Sequence, residues 1–469
     1  MKVLIFLILV LVFSCGNDLT GIKKEKNGKI AGVCINDNDC EAWEICDVNS
    51  GECKDSPCLN VDCGQGRCLV DDVESFHCEC NNGYHEYENK CIANPLRVST
   101  GNYFTCVLLN DGNVYCSGEN FSGQLGNETN ESSYLPVKVK DIANVKDITL
   151  GNEHACALFN DGKVKCWGNN IYGQLGDGTN ENKNKPVSVK DLSGVVTVKA
   201  GAYHTCALLT DGKVKCWGMN AYAQLGNRKL ENSNLPVYVV KDFRFTPMDN
   251  VSFIAVGKLH NCLQRVNGDI YCWGANGNGQ LGINKDWKDY SSCRNENCKY
   301  AREIEPVNIS SEAEKNGRFV LRYADYLVAG GNFTAAVKGT DAYLWGKNSY
   351  YQTGSDIKDN LKYPIENFQI SGFEKIKLGG SQTCGIKDMK LYCMGRNIYG
   401  QFGDENIIKY VKDMMYVGDA NNEYDIGINH GCLINDNRVK CWGSNIRGEL
   451  GIDNKAVKFS SQPVNMSGF

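Results

Sequence analysis

Residues 151–176 read GNEHACALFNDGKVKCWGNNIYGQLG, and residues 201–226 read GAYHTCALLTDGKVKCWGMNAYAQLG. Fainter copies begin at Gly101, Gly257, Gly331, Gly379 and Gly427. The Trp-Gly pair, or its substitute, ends at Gly118, Gly168, Gly218, Gly274, Gly346, Gly395 and Gly443, at spacings of 50, 50, 56, 72, 49 and 48 residues. A nearly fixed period marks one supersecondary unit used repeatedly, each copy burying its apolar face against the next.

Each copy predicts four short strands, in the second over 145–150, 155–159, 163–167 and 186–190. No copy sustains a helical period, and glycine-rich turns interrupt the chain every few residues. Asp161-Gly162 is a hairpin signal, because glycine reaches positive φ without a Cβ clash. Cys156 and Cys166 are equidistant from Asp161 and so face each other, with Leu158 and Val164 paired on the same face. The shorter sixth and seventh copies keep this register, Cys384 opposing Cys393 and Cys432 opposing Cys441. In the fifth copy the two cysteine positions are read as Ala336 and Leu344, so both thiols are lost together.

Six hairpin disulfides are therefore expected: Cys106–Cys116, Cys156–Cys166, Cys206–Cys216, Cys262–Cys272, Cys384–Cys393 and Cys432–Cys441. Each closes a loop contributing about 3 kcal/mol in the chain-entropy model. Seven four-stranded units predict a closed ring, since closure removes sheet edges. The Gln-Pro-Val run at 462–464 resembles the strand that precedes a repeat, so one blade is expected to be completed by both chain ends. The fold class is all-β, a seven-bladed β-propeller over 95–469 preceded by small disulfide-rich modules.

The residues Gly201, His204, Thr205, Ala207, Leu208, Asp211, Gly212, Val214, Trp217, Gly218, Asn220, Gln224, Leu225 and Gly226 resemble the regulator of chromosome condensation repeat family. Its hallmark is Gly-x-x-His-Thr-x-Ala-Leu, Asp-Gly-x-Val, Trp-Gly and Asn-x-x-Gly-Gln-Leu-Gly. The resemblance covers about residues 95–469 and implies a seven-bladed propeller. The founding member's exchange activity toward a small GTPase is not carried over, because this chain reads as exported.

Residues 1–14 read as a signal peptide, with Lys2 followed by an apolar run from Val3 to Phe13. Val12-Phe13-Ser14-Cys15 resembles a bacterial lipobox, Phe13 being a departure, and makes Cys15 the expected lipidation site. The chain holds 25 cysteines, and acylation of one leaves an even number to pair. Residues 15–33 form the lipidated tether, able to span roughly 60 Å when extended. Residues 34–53 carry Cys34, Cys40, Cys46 and Cys53. Spacing does not fix their connectivity; Cys34–Cys46 with Cys40–Cys53 is the working expectation.

Residues 54–93 hold Cys58, Cys63, Cys68, Cys78, Cys80 and Cys91, with Gly83-Tyr84 after the fifth cysteine. This pattern resembles an epidermal growth factor-like domain, and the resemblance implies Cys58–Cys68, Cys63–Cys78 and Cys80–Cys91. A module this small needs such staples. Asp55-Ser56-Pro57 lacks the acidic pair of calcium-binding members, which favours a plain spacer.

The formal net charge is −5 and no basic helix or patch interrupts the sequence, so nucleic acid is a poor partner. Paired cysteines belong to an oxidising compartment. His154, His204, His260 and His430 recur at one repeat position, taken by Phe104, Thr334 and Gln382 elsewhere. One such residue per blade does not converge on a metal, and each is read as hydrogen-bonded within its own blade. Trp167, Trp217, Trp273, Trp345 and Trp442 read as core or blade-interface residues. There is no nucleophile elbow, phosphate-binding loop or metalloprotease pair. No catalytic residue, metal or cofactor is expected.

Departures from the repeat are the better candidates, since loops on a rigid scaffold carry recognition. Residues 284–327 read as an insertion in one connection, stapled by Cys293–Cys298 and bearing Trp287, Tyr290 and Tyr300 as partner-binding candidates. Residues 407–424 read as a divergent strand or a contact surface. The expected function is that of a surface-anchored extracytoplasmic binding or scaffold protein. It would sit by its lipid at a bacterial outer membrane or cell surface, with secretion as the alternative. Its partner is an extracellular or periplasmic protein, a glycan being the second candidate. Inhibition of a secreted enzyme, as by a resembling bacterial propeller that inhibits β-lactamase, is the alternative function, and hydrolysis of surface glycans or peptides the rival from another class.

Overall fold

The computed structural model describes residues 44–47, 50, 52–59, 61–72, 75–283, 302–315, 317–356, 358–400, 402, 409–421 and 423–469. Cys15, Cys34, Cys40, Cys293, Cys298, Trp287, Tyr290 and Tyr300 lie outside them. The chain divides into two compact units, one reaching Asn94 and the other running from Pro95 to Gly468.

The first unit is built from two-stranded sheets: Glu44–Asp47 with Glu52–Asp55, Gly66–Val70 with Phe76–Cys80, and Tyr84–Tyr87 with Lys90–Ala93. Cys46 and Cys53 are opposite in register, and each is disulfide-bonded. Cys58 is bonded to Cys68, Cys63 to Cys78 and Cys80 to Cys91. Buried Cys58, Cys63, Cys68, Cys78 and Cys91 form the core itself, flanked by Val61, Val70, Phe76 and Tyr84. Sulfur replaces the aliphatic side chains that so short a chain cannot collect.

The second unit is an all-β, seven-bladed propeller, each blade a four-stranded antiparallel meander. In blade 2 the strands run from the channel outward as Val145–Leu150, His154–Phe159, Val164–Gly168 and Lys183–Ser188. The hairpin register is the one that symmetry about Asp161-Gly162 predicts, with Cys156 opposite Cys166 and Leu158 opposite Val164. Gly162 adopts φ +76°, the conformation its turn requires. All six hairpins carry their disulfide, with Cα atoms 4.1 Å apart.

Three expectations are corrected. The first blade is Pro95–Thr100, Phe104–Leu109, Val114–Gly118 and Ser133–Lys138, and the seventh is Glu423–Ile426, His430–Asn435, Arg438–Ser444 and Phe459–Asn465. Each is continuous in sequence, so no blade is shared by the chain ends. The Pro-Val run is the fourth strand of its own blade, and Pro95–Thr100 already supplies the first strand of blade 1. In blade 5 the register pairs Ala335, not Ala336, with Leu344. The doubled Gly330-Gly331 had shifted that repeat by one. The insertion read over 284–327 splits around Arg302–Asn308, the outer strand of blade 4, with the short helix Ile309–Lys315 following it.

Residues 407–424 are resolved in part as strand. Tyr410–Asp419 is the fourth strand of blade 6, and Glu423-Tyr424 opens blade 7. The Tyr424 ring is buried, and its hydroxyl donates to the Cys384 carbonyl at 2.9 Å.

Candidate functional site

A glycine follows the inner strand of every blade, where the seven inner strands converge. A Cβ on Gly101 would lie 2.9 Å from the Gly151 carbonyl oxygen, and one on Gly151 2.5 Å from that of Gly201. The series continues through Gly257, Gly330, Gly379 and Gly427, whose own Cβ would meet the Gly101 oxygen at 2.6 Å. These glycines frame one mouth of a central channel, around a cavity of about 260 Å³. A cavity of about 560 Å³ lies further along the inner strands.

The histidines stand just behind this ring. His154 Nε2 meets Thr205 Oγ1 at 3.0 Å, His204 Nε2 meets Asn261 Oδ1 at 2.8 Å, and His260 Nε2 meets Thr334 Oγ1 at 2.8 Å. Each partner belongs to the next blade, which corrects the reading of bonds within one blade. The relay extends: Thr205 Oγ1 donates to the Gln174 carbonyl and Thr334 Oγ1 to that of Gln280. Phe333, not Thr334, holds the histidine position of blade 5. Where histidine is absent from blade 1, Phe104 takes its place and the partner position of blade 2 is apolar Ala155. Burial pushes the imidazoles of His154 and His260 down to about 3 and that of His204 to about 4, so all three are neutral.

The tryptophans also link neighbours, each donating back to the preceding blade. Trp167, Trp217, Trp273 and Trp345 are buried, and their indole N–H groups donate at 2.9 Å to the carbonyls of Gln124, Gln174, Gln224 and Gln280. That glutamine is the one in each Gly-Gln-Leu-Gly run, or its Ala223 variant in blade 3. The motif is thus a latch for the next blade.

Around the glycine mouth, backbone N–H groups also bond forward, from Asn102 to the Asn152 carbonyl and onward to Gly380 and Gly427. Across blades 6, 7 and 1, side chains close the ring. Arg97 Nη1 meets Glu423 Oε2 at 2.8 Å, Lys375 Nζ meets the same oxygen at 2.7 Å, and Lys377 Nζ reaches Asp425 Oδ1 at 3.3 Å. Thr100 donates its N–H and Oγ1 to Asp425 Oδ2 at 2.8 and 2.9 Å. Burial raises the Asp425 pKa, but Lys377 and the Thr100 donors together hold it below the usual range. His430 Nε2 meets Thr105 Oγ1 at 2.9 Å across the same seam.

The connections between first and second strands and between third and fourth strands emerge together at this mouth and make one loop face. The residue after the conserved asparagine is exposed there in blades 7, 1 and 2: Ile446 at 43%, Phe121 at 63% and Ile171 at 54%. Blade 6 supplies Ile398 at the same position, while blades 3 to 5 have Ala221, Gly277 and Ser349. Exposed apolar side chains therefore form an arc over three adjacent blades, extended on blade 6 by part-buried Ile398. Arg447 lies 5.4 Å from the Phe121 ring and is 3.4 Å from Glu119. The expected partner-binding residues Trp287, Tyr290 and Tyr300 fall outside the described residues, within the third-to-fourth connection of blade 4. The apolar arc was not singled out in the sequence, although comparing this one position across the copies exposes it. Among the described residues no group of His, Cys, Asp or Glu side chains is arranged to hold a metal ion.

A stapled ring of seven repeats, latched blade to blade by Trp and by His or its substitutes, defines a propeller of one repeat class. The regulator of chromosome condensation (RCC1) repeat matches residues 111–158, 161–208, 211–263 and 267–337, and a second description of that repeat matches 97–124, 145–174, 195–224 and 251–280. Together these span residues 97–337, more than half of the chain, which belongs to the RCC1 repeat family. Among solved structures it is similar to Prp20p of Saccharomyces cerevisiae, described with its binding to Gsp1p and histones, at 20% identity over 77% of this chain and 87% of that one, TM-score 0.62. Yeast RCC1 (Prp20) bound to Kap60 gives 19% identity over 82% and 90%, TM-score 0.63. Human WBSCR16 gives 18% over 76% and 94%, TM-score 0.60. At these identities the likeness is one of fold.

Proposed function

We propose that the chain is an exported, membrane-anchored recognition protein whose propeller binds another protein through its loop face. The carrying observation is the apolar arc of Ile446, Phe121 and Ile171. These side chains stand exposed at one repeat position on adjacent blades, while the asparagine before each is buried. Exposed apolar side chains grouped on a rigid frame mark interaction sites. Disulfides hold that frame in six of seven blades, so little order has to be gained on docking. Nine disulfides between described cysteines, with Cys46 and Cys53 bonded besides, also favour an oxidising compartment over the cytosol. The protein partners of Prp20 support binding as the activity of such a ring, although partner identity does not transfer at this identity.

In this reading Cys15 carries lipid, residues 15–33 are the tether, and the epidermal growth factor-like module is a spacer. Recognition makes and breaks no bond. The test is co-purification of partners from native membranes with Phe121→Glu and Ile171→Glu, against Val266→Glu in the opposite hairpin turn, where Val266 is 70% exposed. Partner recovery should fall about tenfold or more with the loop-face variants and persist with the control. Equal recovery from all three, or turnover of a glycan or peptide library, contradicts the proposal.

A further inference from the structure

We infer that the loop-face mouth of the channel seats a carboxylate-rich segment of the partner protein. This rests on the loop face being the recognition surface and gives that partner its chemistry.

At the residue after the Trp-Gly pair, or its substitute, two blades reach this mouth. Blades 5 and 6 place Lys347 and Arg396 there, where the others have Glu119, Asn169, Met219, Ala275 and Ser444. One residue beyond the ring glycine of blade 4 stands Lys258, at a position held by Asn102, Asn152 and Ala202 in blades 1 to 3. Three cations therefore occupy successive blades, and all three line the cavity of about 260 Å³. Among the described residues none has an acidic partner. Arg396 reaches Asn429 Oδ1 at 3.4 Å through one terminal nitrogen, while its buried Nε has no hydrogen-bond partner. Lys347 and Arg396 both face the Tyr350 ring, at 5.5 and 5.9 Å.

The contrast with the seam is chemical. Arg97, Lys375 and Lys377 line the same channel and are each paired with Glu423 or Asp425. Guanidinium and ammonium groups left without a counter-charge in a partly enclosed mouth attract carboxylates from outside. A glycine frame leaves room for an extended backbone to approach. Cations distributed over three blades match several successive carboxylates better than one small anion. The apolar arc begins on blade 6 beside them, so a segment mixing acidic and apolar residues engages both.

The test is fluorescence anisotropy of the full chain with a labelled peptide of alternating Glu and Gly, beside its Gln counterpart. The Glu peptide should bind, more weakly as salt rises, and the Gln peptide should not. Lys347→Gln with Arg396→Gln, and separately Lys258→Glu, should each weaken binding about tenfold or more. Lys213→Gln in the opposite hairpin turn should leave it unchanged. Asn169 and Met219 occupy the first position in other blades, so the double variant is expected to melt as the parent does. Equal binding of both peptides, or no loss in the cation variants, overturns the inference. So does displacement by inorganic phosphate at matched charge, or binding to phosphatidylserine vesicles in place of the peptide. Loss of partner in the Phe121 and Ile171 variants without any effect of the cation variants would leave the recognition surface standing and remove only this inference.

Discussion

At the scale of single residues, the repeat is a set of mutually dependent choices. His154, His204 and His260 need a hydroxyl or amide on the next blade, and find Thr205, Asn261 and Thr334. The last repeat swaps glutamine for Glu449, and Ser444 with the Arg447 N–H supplies the donors that a buried carboxylate requires. The buried imidazoles carry a pH consequence. They are neutral when folded, whereas an unfolded histidine gains a proton below about 6.5. Their folded pKa values lie lower, so stability is fully present above pH 6.5 and falls as pH drops toward about 4. Each histidine contributes about 1.4 kcal/mol per pH unit in that window. Urea unfolding at pH 7 and 5 should show this loss, and His154→Gln should reduce the proton uptake on unfolding by about one. A variant with the parent's pH dependence would contradict the neutral, buried state.

At the scale of strands and hairpins, legibility in the sequence depended on symmetry. Cys156 and Cys166 could be paired because they are equidistant from Asp161-Gly162, and the spacing survives shortening in blades 6 and 7. The same device slipped in blade 5, where Gly330-Gly331 offers two starting points and the hairpin turns through Gly339-Thr340. The seam was not legible at all. Arg97, Lys375, Lys377, Glu423 and Asp425 sit on the inner strands of blades 1, 6 and 7, where the copies differ most, and Arg97 meets its carboxylate only when blade 7 returns to blade 1. Asp425→Ala strips Lys377 of its nearer carboxylate and Thr100 of its acceptor. It should cost about 3 kcal/mol, since Lys377 keeps only the Glu423 carboxylate at 3.6 Å and two Thr100 donors lose their carboxylate. Amide exchange should then accelerate first in Pro95–Thr100 and Glu423–Ile426. Uniform loosening of all blades would argue against a localised seam.

At the scale of the whole molecule, the repeat count gave the number of blades but misjudged how the ring ends meet. No strand is exchanged between the chain ends; a ring of glycines, a His–Thr bond and an ionic cluster do that work. The loop face was underestimated for a related reason. The sequence directs attention to insertions such as 284–327, whereas Phe121, Ile171, Lys347 and Arg396 lie inside the regular pattern and stand out only by comparison among blades. The proposed recognition role requires an exported ring with oxidised hairpins, and in that proposal Cys15 carries the lipid. The most direct measurement is peptide mapping of the native protein, alkylated before lysis, from separated membrane and soluble fractions. Expected are a membrane-bound chain acylated at Cys15 and hairpin cysteines that escaped alkylation, with Cys156 joined to Cys166. A cytosolic chain with those thiols alkylated would contradict it.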